Sequence, residues 1–563
     1  MKVSIDWLKA LVDLKVPVEE LGRLLPLRTI GTKEVTDNFI ELDMKGYNRA
    51  DLLSLRGVAL EAAAITNSPA SFNPAVIEQT TYGVDFPKVN ISVEDEKLCP
   101  VYCLAKIEGL KVKPSLQEWV KKLEDSGIRT VNNVADVTNL IMLEYGQPMH
   151  AFDAEKVRGS VKVRVAKENE KITTLDGKIR DLNKEDLLIA DEKEPVGIAG
   201  VMGGKDSEIS ENTSSILLEA AIFDPVSLRK SSLRHGLYSE ASRRFQHGLT
   251  KTNLLQALSA AIKMYESLGG KLTAITLTGD LKDKVKKIKL TQSKINSLIG
   301  IEIPSEDIES SLKKLGFDLD KQGQNWEATV PYWRLDINIE EDLIEEVARM
   351  YGYERIKPKE LSGKVPAKIA QSFPELIYKL KKTLANAGLT EVQTYSFYSS
   401  KTINDLRLTI NDLVKIANPI STETEYMREN LWPNLLEVTA RNIKQGYKDI
   451  AVFEIGKVYI LQKGDLPKEQ YRLSIALCNG TDNPIRELNR IAQEALKHLR
   501  GGEMQLHLGG EKQRDYYHPT RYSCLEKAGG KIGIMAEIHP RFVNKFGIEQ
   551  RIAVLEIDIT KLQ

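Results

Sequence analysis

Nowhere does this sequence run to the roughly 18 consecutive apolar residues that a membrane-spanning helix needs, so no membrane segment is expected and the cytoplasm is the default compartment. Cysteine is scarce: Cys99, Cys103, Cys478 and Cys524 are scattered along 563 residues, which excludes a disulfide framework. The one close pair, in CPVYC, lacks a second pair at zinc-finger spacing, and its alternation reads as a strand. An excess of either charge is also missing, since Lys plus Arg and Asp plus Glu each number 79. A stand-alone nucleic-acid binder normally shows net positive potential, so any RNA contact here must use local patches or a partner. The N-terminal MKVSIDWLKALVDLKVPVEEL has neither a long uncharged core nor a small-residue cleavage site, so it does not read as a signal peptide. Internal repeats and low-complexity tracts are absent too.

What is present is a long chain with an ordinary apolar fraction of 42%, enough for roughly three or four hydrophobic cores. The patterning predicts an α+β multidomain protein. Residues 1–70 carry short amphipathic helix patterns and strand-like runs. The stretch around PASFNP and the polar residues after it read as a connection. Over 97–270, β-branched runs such as VKVRVA and SSILLEAAIF alternate with Gly- and Asp-rich turns, predicting a mixed-sheet domain with few helices. Over 286–353 two short helices precede WEATVPYW, as in a winged-helix-like module. Pro304 and Ser305 start the second helix, Glu306 and Asp307 supply first-turn acids, and Ile308, Leu312 and Leu315 recur at helical spacing. The remainder, 354–563, reads as a helix-flanked antiparallel sheet domain, with strands such as IAVFEIGKVYIL and KIGIMAEI.

Chemistry concentrates in two blocks. The first centres on VNNVADVTNLIMLEYGQPMHAFD and continues through GIAGVMGG, SSILLEAAIFDP and LRHGLYSEASRRFQHGL. Gly200, Gly203 and Gly204 either let backbone approach a ligand closely or simply form a tight hairpin. Glu219 interrupts an apolar run, where a carboxylate is costly to bury unless something satisfies it. It could equally be an outward position on a half-exposed strand. His150 by itself reads more readily as a satisfied structural histidine than as a reactive one. The second block, PYWRLDINIEEDLIEEVARMYGY, places Asp342, Glu345 and Glu346 on one helix face with Asp336 just upstream. These acids suit either a hard cation or the positive end of a helix.

Four such words in this order closely resemble the editing domain of the bacterial-type phenylalanyl-tRNA synthetase β-subunit family, and the resemblance extends over nearly the whole chain. It implies a pocket in which Glu219 accepts a hydrogen bond from the hydroxyl of a tyrosine wrongly attached to tRNA. His150 would lie beside it, the glycines would line the floor, and Ser239 and Ala241 would shape the wall. No Ser-His-Asp or Cys-His arrangement is evident, which suits hydrolysis by an oriented water. The resemblance further implies Mg2+ at Asp336, Asp342, Glu345 and Glu346. The last domain resembles a class II synthetase core, yet only Arg428 stands as a candidate for gripping ATP phosphates, so a catalytically idle copy is expected. ATP would then be bound by a separate α subunit, in an α2β2 assembly acting on phenylalanine and tRNA(Phe). Longer relatives carry an inserted oligonucleotide-binding domain where this chain passes directly from Gly31 to Asn38, and a further anticodon-binding domain beyond the point matching Gln563. The alternatives are a free-standing tRNA deacylase that kept the pocket, or a scaffold subunit in which editing has decayed.

Overall fold

The run SSILLEAAIF forms the strand Ser215–Ile222. It pairs antiparallel with Val101–Glu108 on one side and Met149–Asp153 on the other, and Lys271–Gly279 completes a four-stranded sheet. Successive side chains of a pleated strand point to opposite faces, so this sheet has two distinct surfaces. Cys103, Ala105, Leu218 and Ala220 pack with Val134, Val137, Leu254 and Ala261 from the helices Asn133–Tyr145 and Lys251–Ser267. On the other face, Tyr102, Leu104, Leu217 and Ala221 pack against a second sheet. Its five strands, in spatial order, are Met202–Gly203, Pro195–Ile198, Leu187–Ala190, Val161–Val165 and Ile91–Val93.

These sheets belong to the first of two compact units, Met1–Glu360 and Leu361–Gln563, in a computed structural model that describes residues 1–74, 86–360, 362–363, 372–497, 505–508, 514–527 and 530–562. The middle of the connection expected after PASFNP lies outside the described residues. The expectation of few helices in 97–270 is corrected: Gln117–Asp125, Asn133–Tyr145, Pro225–His235, Glu240–His247 and Lys251–Ser267 are all helical. Their end signals are local. Asn132 accepts from the amides of Val134 and Ala135, and Gly146 closes that helix at φ +75°. Asp224 caps the helix beginning at Pro225 in the same way.

At the N-terminus, the passage from Gly31 to Asn38 lies in a tight hairpin between Thr32–Val35 and Phe39–Leu42. The Thr36 hydroxyl accepts from the amides of Asn38 and Phe39 and closes the turn. Further along, Ser305–Lys314 is a helix that starts after Pro304, and Ile308 and Leu312 are fully buried. It packs with Glu340–Tyr351 over a three-stranded antiparallel sheet ordered Lys286–Thr291, Asn325–Val330, Asp318–Gln322.

The second unit is built on a seven-stranded sheet whose long central strands, Ile450–Ile460, Lys468–Cys478 and Ala553–Asp558, are antiparallel. The helix Trp432–Lys444 buries Trp432, Leu435 and Leu436 on one face. Leu380, Leu384, Leu488 and Ile491, from Ser372–Asn386 and Pro484–Lys497, cover the other. The chain is thus a mixed α and β protein with several sheets, as the patterning suggests. No helix among the described residues is long and apolar enough to cross a membrane.

Candidate functional site

A cavity of about 210 Å³ opens between the two packed sheets of the first unit. The NNVADVTN word explains much of its framework. Asn132 caps the helix, Asn133 accepts from the amide of Lys113 and donates to the carbonyl of Lys111, and Asp136 accepts from the Ser115 hydroxyl and the Val131 amide. Gln147 then donates to the carbonyl of Ala221. These bonds seat the strand Met149–Asp153 against Ser215–Ile222 in a register that sets His150 directly opposite Glu219. Cross-strand partners point to the same face, so both side chains enter the cavity.

Glu219 is 6% exposed. Its Oε2 accepts a hydrogen bond of 3.0 Å from the hydroxyl of Tyr102, itself fully buried on the neighbouring strand. No hydrogen bond among the described residues occupies Oε1. Burial pushes the Glu219 carboxyl up to about 7, and the Tyr102 bond opposes that rise only in part. His150 stands edge-on to Phe152, with ring centroids 4.5 Å apart. Its Nε2 is buried with no hydrogen-bond partner among the described residues. Burial lowers the imidazole to about 4, so the ring is neutral near pH 7.

The glycines divide by role. A Cβ on Gly203 would lie 2.7 Å from two ring atoms of His150, so the missing side chain makes room for the imidazole. Gly200 adopts φ +63°, and a Cβ there would lie 2.4 Å from Leu228. Both line the cavity, whereas Gly204 does not. At Gly204 a Cβ would press on the Val196 carbonyl at 2.7 Å, the same carbonyl that accepts from the Gly204 amide. Ser239 and Ala241 border the cavity, but the Ser239 hydroxyl is already engaged. It caps the helix Glu240–His247 by accepting from the Ser242 amide, and it donates to the Val201 carbonyl. The sequence reading missed the apolar lining of Met149, Phe152, Leu175 and Phe245. It also missed Tyr102, whose only clue was that the CPVYC strand alternates.

The second acidic block is arranged differently. Asp336 receives two hydrogen bonds from Arg334, at 2.9 and 2.7 Å. Glu346 is held by Arg334 and by Arg349, the latter at 2.8 and 2.6 Å. Although burial pushes the Glu346 carboxyl up, the charges and hydrogen bonds of Arg349 and Arg334 hold it down at about 2. Asp342 accepts from the amides of Asn338 and Ile339 and so closes the helix N-terminus, while Glu345 is exposed. Among the described residues no group of three or more His, Cys, Asp or Glu side chains is placed to hold a metal ion. Of the four acids that the resemblance assigns to magnesium, Asp336 and Glu346 thus belong to an arginine-neutralised cluster joined to the N-terminal segment through Glu61, which binds Arg349 and Arg49. In the second unit Arg428 is likewise committed: it is buried, 2.9 Å from Glu454, and donates to Thr394 and to the carbonyl of Lys457.

Residues 98–270 match the family described as B3/4 domain, residues 288–353 the tRNA synthetase B5 domain, and residues 358–559 the phenylalanyl tRNA synthetase beta chain CLM domain. Among curated relatives, the chain is 31% identical over 544 residues to the phenylalanine–tRNA ligase beta subunit of Latilactobacillus sakei subsp. sakei (strain 23K), covering 94% of this chain and 67% of that protein. It is 34% identical to the subunit of the same name from Staphylococcus haemolyticus (strain JCSC1435), covering 90% of this chain and 64% of that one. A solved N-terminal fragment of the phenylalanyl-tRNA synthetase beta subunit from Pyrococcus horikoshii aligns at 17% identity and a TM-score of 0.36, over 62% of this chain and 99% of the fragment. The chain spans about two thirds of the length of the curated relatives it matches. With identity of this level sustained across all three matched regions, the chain belongs to the phenylalanine–tRNA ligase β-subunit family.

Proposed function

We propose that this chain is the proofreading subunit of a phenylalanine–tRNA ligase, hydrolysing tyrosine wrongly esterified to tRNA(Phe) while a separate α subunit attaches phenylalanine at the expense of ATP. The observation that carries this reading is Glu219: a carboxylate buried at the wall of an apolar cavity, with Oε2 bound by Tyr102 and no hydrogen bond to Oε1 among the described residues. A synthetic pocket shaped for a phenyl ring cannot strongly reject the same ring with an added hydroxyl. A second pocket that demands the hydroxyl supplies the missing discrimination, because a phenylalanyl ester would leave Glu219 Oε1 buried without a donor.

In this mechanism the tyrosyl side chain enters between the sheets against Met149, Phe152 and Phe245, and its phenol donates to Glu219. His150, neutral at working pH, uses its unpaired Nε2 to orient the ester or the attacking water. We assign it to positioning, with no covalent intermediate. In the second unit, the capture of Arg428 by Glu454 supports an idle class II-like core; the proposed assembly is α2β2 in the cytoplasm, with that core packed against the α subunit. No step is routed through Mg2+ on this chain.

The test is Glu219→Ala in the complex with α. Phenylalanylation of tRNA(Phe) should be intact, and Tyr-tRNA(Phe) hydrolysis should fall by about 10- to 100-fold, the size of one hydrogen bond to a charged group. Unchanged hydrolysis would remove Glu219 from the mechanism.

A further inference from the structure

The acid that would recognise an incoming phenol is already holding one of the chain's own. Tyr102 donates its hydroxyl to Glu219 Oε2 at 3.0 Å, across 117 residues of sequence. The tyrosine is fully buried and does not line the cavity, so it grips the carboxylate from behind. Strand register fixes this approach: Tyr102 is opposite Ala221, two positions along the same face from Glu219, whose own partner on that strand is Leu104. The Tyr102 side chain is clamped in the core with Leu104, Phe152 and Leu217. It is therefore a rigid donor in a fixed place.

A buried glutamate has two side-chain torsions and a carboxylate rotation to lose before it can accept a hydrogen bond in one direction. We propose that Tyr102 is a positioning residue for the pocket: by holding Oε2 it keeps Oε1 turned into the cavity as the acceptor for the substrate hydroxyl. The inference rests on the proofreading reading above and adds to it a specificity device. Phenol recognition is made by a carboxylate pre-oriented by a second phenol on the far side.

The titratable groups around this carboxylate are few. Tyr102 and Cys99 approach from the Val101–Glu108 side, and His150 stands opposite on Met149–Asp153. The five-stranded sheet and the helix Glu240–His247 contribute only apolar or small residues to the cavity, among them Ile189, Met202, Ala241 and Phe245. Among the described residues Tyr102 is thus the one group hydrogen-bonded to Glu219 that favours its ionised form.

The experiment compares wild type, Tyr102→Phe, Glu219→Ala and the double variant, each as the full chain with its α partner. Hydrolysis of Tyr-tRNA(Phe) is measured from pH 6 to 9, and protonation of Glu219 is followed by infrared difference spectroscopy of its carboxyl band. Tyr102→Phe should lower kcat/KM about tenfold at pH 7. It should also move the Glu219 protonation midpoint and the hydrolysis profile together to higher pH, and cost nothing further in the Glu219→Ala background. An equal loss in the Glu219→Ala background would make Tyr102 merely structural, and an unmoved midpoint would overturn the proposal. Full hydrolysis by Glu219→Ala, with a midpoint that moves in Tyr102→Phe, would instead sink the proofreading role of Glu219 while leaving the Tyr102 contact standing. Absence of hydrolysis by the wild-type complex would overturn both.

Discussion

Replacing Glu219 by glutamine should stabilise this protein at pH 8 and leave it unchanged near pH 4. The folded carboxyl takes its proton near pH 7, against 4.5 for an ordinary glutamate, because burial disfavours the charge. Between those two values the folded state binds a proton that the unfolded state has lost, so stability falls as pH rises through this window. Below 4.5 both states are protonated and no penalty exists; above 7 both are ionised and the penalty is complete. A factor of ten in proton affinity is about 1.4 kcal/mol, so the full penalty is about 3 kcal/mol. Glutamine keeps the shape and can still accept from Tyr102, but it does not titrate. The assay is hydrogen exchange of the strand Ser215–Ile222, which reports local opening free energy without requiring two compact units to unfold as one. The protection of Glu219→Gln minus that of wild type should grow from pH 4 to 7 and then level off, while Tyr-tRNA(Phe) hydrolysis by the same variant drops. A difference constant from pH 4 to 8 would mean that the carboxylate is solvated or already ionised, and the account of a desolvated recognition group would fail.

Two further substitutions test the geometry. Gly203→Ala places a methyl 2.7 Å from the His150 ring and should force the imidazole out of place, at a cost of about 1–3 kcal/mol. Hydrolysis of Tyr-tRNA(Phe) should be lost with phenylalanylation intact, and an unaltered hydrolysis rate would separate His150 orientation from activity. Arg349→Met removes one of two arginines from both Glu61 and Glu346. Leaving those buried carboxylates underpaired should destabilise the first unit by about 3 kcal/mol in denaturant titration, and a loss below about 0.5 kcal/mol, the usual scale of an exposed substitution, would show that the cluster is not buried as described.

How far the sequence could be read follows from the distance over which each feature acts. The strand around Glu219 was legible because alternation is local, and a carboxylate inside ILLEAAIF announced a problem needing a partner. The pairing of Glu219 with His150 was not legible, since register between strands is set by nonlocal contacts that no spacing encodes. Tyr102 was hidden for the same reason. The five helices of 97–270 were passed over although their caps were present, Asn132 before NVADVTN and Asp224 before Pro225, because short β-branched runs dominated the pattern. Gly204 looked like Gly203 in GVMGG, and only the backbone path separates the one that clears a ring from the one that meets a carbonyl. For the acidic block, the plain reading of Asp342 as a first-turn acid matches its bonds to Asn338 and Ile339. Arg334 and Arg349 were visible in WRLDI and EEVAR, yet their aim at Asp336 and Glu346 depends on side-chain packing.

Three of the buried charged sites show how the state of each ion separates structural from functional use. Arg428 and Glu454 in the second unit satisfy one another, with Thr394 and a carbonyl completing the set. Arg334, Asp336, Glu346, Arg349, Glu61 and Arg49 form an ionic network in the first unit, and removing a member leaves its buried partners underpaired. Among the described residues no cation pairs with Glu219. It has one neutral donor, a carboxyl raised to about 7, and an opposite neighbour, His150, whose Nε2 also lacks a partner. Selection for stability alone would replace such a pair with apolar residues that continue the surrounding core, at a gain of several kcal/mol. A glutamate and a histidine facing the same cavity, both short of partners, are intelligible when an incoming ligand supplies what the fold withholds, and a phenol presented on an ester fits that requirement because it brings one donor to the acid and one polar centre to the imidazole.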